Sequence, residues 1–312
     1  MSATSSDILI DLSTAILRSE QGLLQCRLVG DDAHMLKRLP SGPFMPHLHR
    51  TMETGLRQWV SEQVGVDLAH VEQLYTFADE GRHSADMPAH IVSVGYLALS
   101  RAERQDETAS DQLSWGEIYQ FFPWEDWRNG RPAILDEAVL PALDNWLCDN
   151  TQQTERVRLA FGRDTVQWDE EFVLERYELL YQAGLVDEAL RDQKIGMSAA
   201  TSPLGAALQF DHRRILATAL GRLRGKLKYR PVIFDLMPAR FTLRALQATT
   251  ELVMGVNLHK QNFRRLVEKS GFLEATGDME KARGRPAEIF RIRHTDAGKR
   301  PLSGLRVSSP NK

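Results

Sequence analysis

The sequence predicts an α+β chain in three parts: an N-terminal α/β domain over residues 1–112, an aromatic connection and helical insert over 113–203, and a C-terminal winged helix-turn-helix over 204–312. Three observations predict it. Strand-like and helix-like apolar runs alternate in the first part, and helical periodicity takes over in the middle. The last part reads as two helices joined by a glycine turn and followed by a hairpin. Charge divides in the same place. Residues 212–312 hold 22 Lys and Arg against 8 Asp and Glu, leaving 17 basic and 34 acidic residues in the rest, so the net charge of −3 conceals a cationic end. That asymmetry is the footprint of a nucleic-acid-binding unit joined to a sensor or an enzyme.

At 312 residues the chain exceeds one ordinary domain, and its 42% hydrophobic and 26% charged residues are globular proportions. No stretch nears the roughly 18 apolar residues of a membrane span. The first residues lack a basic patch followed by an apolar run, so no export signal is expected. Cys26 and Cys148 lie far apart without metal-type spacing, and two reduced thiols in a cytoplasmic protein are expected.

In the first part, residues 8–10, 15–17 and 23–29 are short apolar runs that read as strands. Residues 57–66 read as a helix ending at Gly65, glycine being preferred just past a helix. Residues 90–100, HIVSVGYLALS, form a near-continuous β-rich run that suggests a central strand. The polar run 101–112 reads as a surface loop. Residues 115–132 are dense in Trp and Phe and read as a connection stapled over a core. Helical spacing then covers 133–149, on Leu135, Val139, Leu143 and Leu147, and 170–193, with Asp169 as the expected N-cap. The small, polar run 194–203 reads as a linker.

The basic end opens with an amphipathic helix over 210–227, whose Arg213, Arg214, Arg222 and Arg224 are expected to carry its charge outward. A β-rich piece is expected over 230–237. A helix from 242 to 254, a break at 255–257 and a second helix over 258–270 make the helix-turn-helix. In the second helix Leu258, Phe263, Leu266 and Val267 point inward at helical spacing. Lys260, Gln261, Arg264 and Arg265 are left outward, with Asn262 near the boundary. Arg and Gln can bond two atoms of a guanine or adenine edge, and Lys can hold a phosphate. Two short strands then flank a tip carrying Lys281, Arg283 and Arg285, as in a wing. Arg240 and Thr242, leading into the first helix, complete the expected DNA-contacting set.

These residues resemble a known family. FDH at 210–212, RLRGKL at 222–227, FTLRALQ at 241–247, NFRRL at 262–266 and GRPA at 284–287 are similar to the C-terminal domain of the Nudix-related transcriptional regulators of the NrtR type. VEQLYTF at 71–77 and HIVSVGYLAL at 90–99 resemble that family's Nudix-fold domain, and the long segment 115–192 resembles the alphaproteobacterial NadQ-type NAD regulators. The resemblance implies a homodimer that binds double-stranded operator DNA and represses NAD-biosynthesis or salvage genes. It also implies a sensor that binds an NAD-related nucleotide, such as NAD, ADP-ribose or ATP, with no required cofactor.

The Nudix hydrolase pattern, G-x5-E-x7-R-E-U-x-E-E-x-G-U, tests whether that sensor is an enzyme. With its last glycine on Gly65, the aliphatic positions hold Val60 and Val66, but only Glu62 survives among the glutamates. Gln63, Trp59 and Arg50 stand at the others, Gln58 at the arginine and Phe44 at the first glycine. Mg²⁺ is anchored by carboxylates and substrate phosphates, so a degenerate, non-hydrolytic domain is expected. His47 and His49 lack carboxylate or Cys partners at ligand spacing, and no metal site is expected. No other catalytic motif is present: GxSxG, the P-loop and the paired dinucleotide glycines are all missing. The aromatic segment 115–127, with Trp127, and the strand residues Tyr75 and Phe77 are the candidates for the nucleotide pocket. The rivals are an active Nudix-type nucleotide diphosphate hydrolase with a basic C-terminal domain, and a regulator that senses a partner protein.

Overall fold

The computed structural model describes residues 8–30, 36–65, 68, 70–79, 90–100, 112–192, 204–280 and 286–293. The expected loop 101–111, the linker 194–203 (from residue 193) and the wing-tip residues Lys281, Arg283 and Arg285 lie outside them.

The first sheet is built from β1 (Ile8–Glu20), β2 (Leu23–Val29), β3 (Ser41–Pro43), β4 (His70–Phe77), β5 (His90–Leu99) and β6 (Leu113–Glu117), with α1 (Met52–Val64) between β3 and β4. Its order is β4-β5-β1-β2-β6, and β3 pairs with the first half of β1. β1 and β5 run parallel, from Ile8 opposite His90 to Leu17 opposite Leu99. The two short runs expected at 8–10 and 15–17 are therefore one strand. Central position explains it: ladder bonds on both edges carry Ser13 and Thr14 into the interior. Side chains alternate across β1. Leu12 and Ile16 join Leu56, Val60 and Val64 of α1 in one core, whereas Ala15 and Leu17 face the other.

α1 starts five residues before the expected 57. Thr51 caps it, accepting from Thr54 N while Thr54 answers with its own hydroxyl, a capping box built without glutamate. The end is as expected, with Gly65 at φ 65°.

Residues 113–117, expected to be part of an irregular connection, are strand β6 on the outer side of β2. Their alternation was hidden by the aromatic residues that follow. α2 (Ile118–Phe121) and a 3-10 turn (Pro123–Glu125) lead into the insert. The insert comprises a π-turn (Leu135–Val139) running into α3 (Leu140–Leu147), α4 (Thr154–Ala160), α5 (Val173–Gln182) and α6 (Asp187–Arg191). Asp169 does not cap α5; its carboxylate accepts from Glu171 N, and Phe172 holds the cap position without a side-chain bond.

α7 (His212–Tyr229) packs on β1, β4 and β5, opposite α1. This placement overturns one expectation. Arg213 and Arg224 are not on an outward face but wholly buried, each paired with a carboxylate from far along the chain. The expected β-rich piece at 230–237 is instead a 3-10 turn (Val232–Leu236), whose apolar residues enter the core. Then come β7 (Phe241–Thr242), α8 (Leu243–Met254), α9 (Lys260–Ser270), β8 (Leu273–Glu280) and β9 (Ala287–Ile292), with strand order β7-β9-β8. One hydrophobic core runs from Leu17 and Leu97 of the sheet, through Phe122 and Tyr177, to Phe263 and Phe272 of the winged helix. Among the described residues no helix is long and apolar enough to cross a membrane.

Candidate nucleic-acid interface

α8 begins at Thr242, whose hydroxyl accepts from Ala245 N at 3.2 Å, and ends at Gly255 with φ 70°. The glycine is needed twice. Its φ lies in the left-handed region, and a Cβ there would come within 2.4 Å of Glu125 O. Polar bonds then set the approach to α9: Glu251 Oε1 accepts from Leu258 N at 2.8 Å and from Gln247 Nε2 at 2.9 Å, and Gln247 also donates to Leu258 O.

α9 buries Phe263 and Val267, with Leu258 and Leu266 half-buried beside them. Lys260, Gln261, Asn262, Arg264 and Arg265 are all exposed. Among the described residues none of these three cations has a carboxylate partner. Neither does Arg244, exposed in the first turn of α8, which the sequence reading did not single out. Unpaired cations lose no ion pair on meeting a phosphate, which suits them to a polyanion.

The remaining expected contacts sort differently. Thr242 is only 7% exposed, and its hydroxyl oxygen is spent on the cap of α8. Its hydroxyl proton is the one donor it has left for a phosphate. Arg240 is exposed but paired with Asp278, and Arg291 with Glu274, across a groove of about 820 Å³ along the wing sheet.

In the N-terminal domain, Tyr75, Phe77 and Trp127 are not brought to one place. Phe77 is 3% exposed and packs beneath the guanidinium of Arg214; Tyr75, 63% exposed, touches it edge-on at 5.4 Å. Both belong to β4, at one edge of the sheet. Trp127 follows β6 at the opposite edge and packs on Trp168, 4.7 Å between centroids. Within the candidate segment 115–127, what the sequence reading missed is the arginine half of a cation–aromatic cluster drawn from three strands. The guanidiniums of Arg18 and Arg27 lie 3.8 Å and 5.0 Å from the Trp115 ring centroid. No local spacing could signal it, because β1, β2 and β6 supply one residue each.

The positions aligned with the Nudix pattern do not fit a Mg²⁺ site. Trp59 donates its indole N–H to Pro43 O at 3.0 Å, and its ring covers Gly42, where a Cβ would sit 2.5 Å away. Gln63 donates to Ser41 O at 2.9 Å. Both positions thus present N–H donors to β3, where metal binding requires oxygen. Glu62 is exposed, accepts from Gln58 at 2.8 Å and has no second carboxylate beside it; no group of three potential metal ligands occurs among the described residues. His49 is buried against Gly55, its Nδ1 accepting from Met45 N.

Comparison with known proteins agrees with this layout. Residues 233–292 match the family described as the NrtR DNA-binding winged helix domain. Over 85 residues, 27% of this chain, the sequence is 41% identical to the ADPR responsive transcriptional repressor NtrR of Acinetobacter baylyi; the match spans 34% of that protein, about a third of the curated relative's length. The Shewanella oneidensis NrtR structure with a 27mer DNA superposes with a TM-score of 0.56 at 19% identity, over 91% of this chain and 93% of that one. A MutT/nudix family protein from Enterococcus faecalis gives 0.52 at 15% identity, over 94% and 89%. At such identities the likeness establishes the fold. The chain thus carries a Nudix-like α/β fold, and its residues 233–292 match the NrtR DNA-binding winged helix domain.

Proposed function

We propose that this chain is a transcriptional repressor that binds operator DNA of NAD-biosynthesis genes as a homodimer, and that an NAD-related nucleotide held in its N-terminal domain sets the affinity. The carrying observation is the exposed face of α9, with Lys260, Arg264 and Arg265 free of carboxylate partners among the described residues, inside the segment that matches the winged helix family. Two such heads related by a two-fold axis would read half-sites one or more helical turns apart. A nucleotide changes occupancy only by binding the DNA-competent and incompetent forms unequally. The name of the Acinetobacter relative supports ADP-ribose as the first effector to try, ahead of NAD and ATP. Arg18, Arg27 and Trp115 support a nucleotide site: guanidiniums suit phosphate, and an indole suits a base.

The domain binds without hydrolysing, on this reading, because Trp59 and Gln63 turn N–H donors toward β3 where metal ligands would be needed. Gel-shift titration with duplexes from upstream of pyridine-nucleotide genes, at modest ionic strength and with or without ADP-ribose, tests the proposal. Retardation that changes with ADP-ribose is expected, and no retardation of any such duplex would defeat it. Incubation with Mg²⁺ and ADP-ribose should release no AMP; steady AMP production would favour the hydrolase instead.

A further inference from the structure

Apart from one bond between the hydroxyls of Ser19 in β1 and Thr249 in mid-α8, the side-chain and backbone bonds that tie the N-terminal half to the helix-turn-helix gather at the carboxyl end of α8, away from the exposed face of α9. The last carbonyls of a helix have no partners within it. In α8 they are taken from outside the helix-turn-helix. Tyr119 of α2 donates its hydroxyl to Leu252 O at 2.6 Å, and Arg224 of α7 donates Nε to Val253 O at 2.9 Å. Just beyond, Trp127 N donates to Gly255 O at 2.7 Å, and Asn257 Nδ2 to Arg128 O.

Behind this seam sits Glu125. Its carboxylate receives Arg176 Nε at 2.5 Å, Arg176 Nη2 at 2.9 Å and Arg224 Nη1 at 2.6 Å, and all three side chains are fully buried. One carboxylate between two guanidiniums leaves a positive charge in the interior. Carbonyls of Ala160, Asp169 and Glu170 take up further donors, so the junction also gathers in the insert. Burial pushes the Tyr119 phenol up, so it keeps its proton and donates. If holding these parts together were the only task, apolar side chains would serve at least as well, since apolar replacement of buried ion triads is often neutral or stabilising. What the charged network adds is direction: held by Glu125, the two guanidiniums spend their remaining donors on particular backbone carbonyls, Val253 of α8 and Ala160, Asp169 and Glu170 of the insert.

We propose that residues 117–128 are a strap by which the N-terminal domain positions the reading helix, with Glu125 and Tyr119 as its positioning residues. The strap leaves β6 at the outer side of the sheet and ends on α8. α9 follows α8 through the bonds of Gln247 and Glu251 to Leu258. A shift of β6 is passed toward α9 because the links are hydrogen bonds to backbone, and those of Tyr119 and Arg224 lie inside a close-packed interior. The inference rests on the nucleotide-modulated reading above, and its test separates the two.

The test uses the full chain, ADP-ribose, and two duplexes: one selected by the wild type from a random-sequence pool, and one unrelated. Tyr119→Phe with Asn257→Ala removes two links and leaves the ring and the charge cluster in place; Glu125→Gln removes the charge. Calorimetry measures ADP-ribose binding, and anisotropy measures duplex affinity with and without it. The double variant is expected to bind ADP-ribose and the unrelated duplex like the wild type. The nucleotide-induced change in affinity for the selected duplex, about 5–150-fold in coupled proteins, is expected to fall toward none. An undiminished response in the double variant overturns the strap. A wild type that ignores ADP-ribose would sink the effector reading instead. The strap is then judged by discrimination between the two duplexes, which the double variant should lose several-fold and whose retention overturns it. Glu125→Gln is expected to match the double variant, and if it fails to fold the double variant decides.

Discussion

Arg264 and Arg265 are exposed, cationic and unpaired among the described residues, so on the proposed reading their substitution acts on DNA affinity and not on the fold. Arg264→Ala or Arg265→Ala should weaken binding to the selected duplex by about 1–3 kcal/mol and relax sequence preference at one position, with the melting temperature unchanged. Equal affinity of both variants for that duplex would refute the assignment of α9 as the reading helix. Arg240 is a different case, because Asp278 already holds it. Asp278→Asn releases that arginine and should tighten binding to all duplexes alike while steepening the salt dependence. An unchanged salt slope would mean that Arg240 does not reach phosphate. In the N-terminal domain, Trp115→Ala removes the ring that Arg18 and Arg27 flank and, on the proposed reading, should weaken ADP-ribose binding in calorimetry; full retention would place the nucleotide elsewhere.

Two junctions between elements carry predictions of their own. Lys226 of α7 pairs with Glu72 of β4, fastening the helix to the sheet edge. Burial works against the Glu72 carboxylate, but bonds from His70 and Lys226 and the nearby charge of Arg222 outweigh it and lower its pKa from 4.5 to about 2. A depressed folded-state value contributes stability above the unfolded value and loses it as the pH falls through the folded one. The contribution is therefore whole at neutral pH and disappears between about 4.5 and 2. Glu72→Gln should flatten the acid limb of the stability profile in that window, and an unaltered limb would count against the pairing. At the other junction, Gly255→Ala places a methyl 2.4 Å from Glu125 O on a backbone with φ 70°. The left-handed conformation alone costs about 1–2 kcal/mol, so the melting temperature should fall clearly, and by more than for Gly130→Ala, where φ is likewise positive at 94° but the Cβ meets open space.

At the scale of the whole molecule, the two parts are not beads on a string. α7 leads into the winged helix yet lies on the first sheet, and one hydrophobic core passes through both. The long run 113–203 was expected to be an insert of helices, and its helices are there, but its first five residues close the sheet and its next dozen grip α8. This continuity suits a regulator, since a change at the sheet cannot be absorbed by a loose hinge at the seam of α8.

Local pattern determined a good deal. The charge imbalance, the break at Gly255 between two amphipathic helices and the outward set of α9 were all legible, because each depends on residues within a turn or two of one another. So was the helix ending at Gly65. Tertiary structure alone decided which charges face water. Arg213 and Arg224 sit at helical spacing like any solvated arginines, and nothing near them in the chain marks them as buried; the carboxylate that receives Arg224 is 99 residues away, and Arg176 reaches it from a third segment. Likewise β6, the Arg18–Trp115–Arg27 cluster and the separation of Trp127 from Tyr75 follow from strand order. The physical reason is one of range. Helical and strand periodicity are read from near neighbours, but burial of a charge depends on a partner that only the folded chain brings within reach.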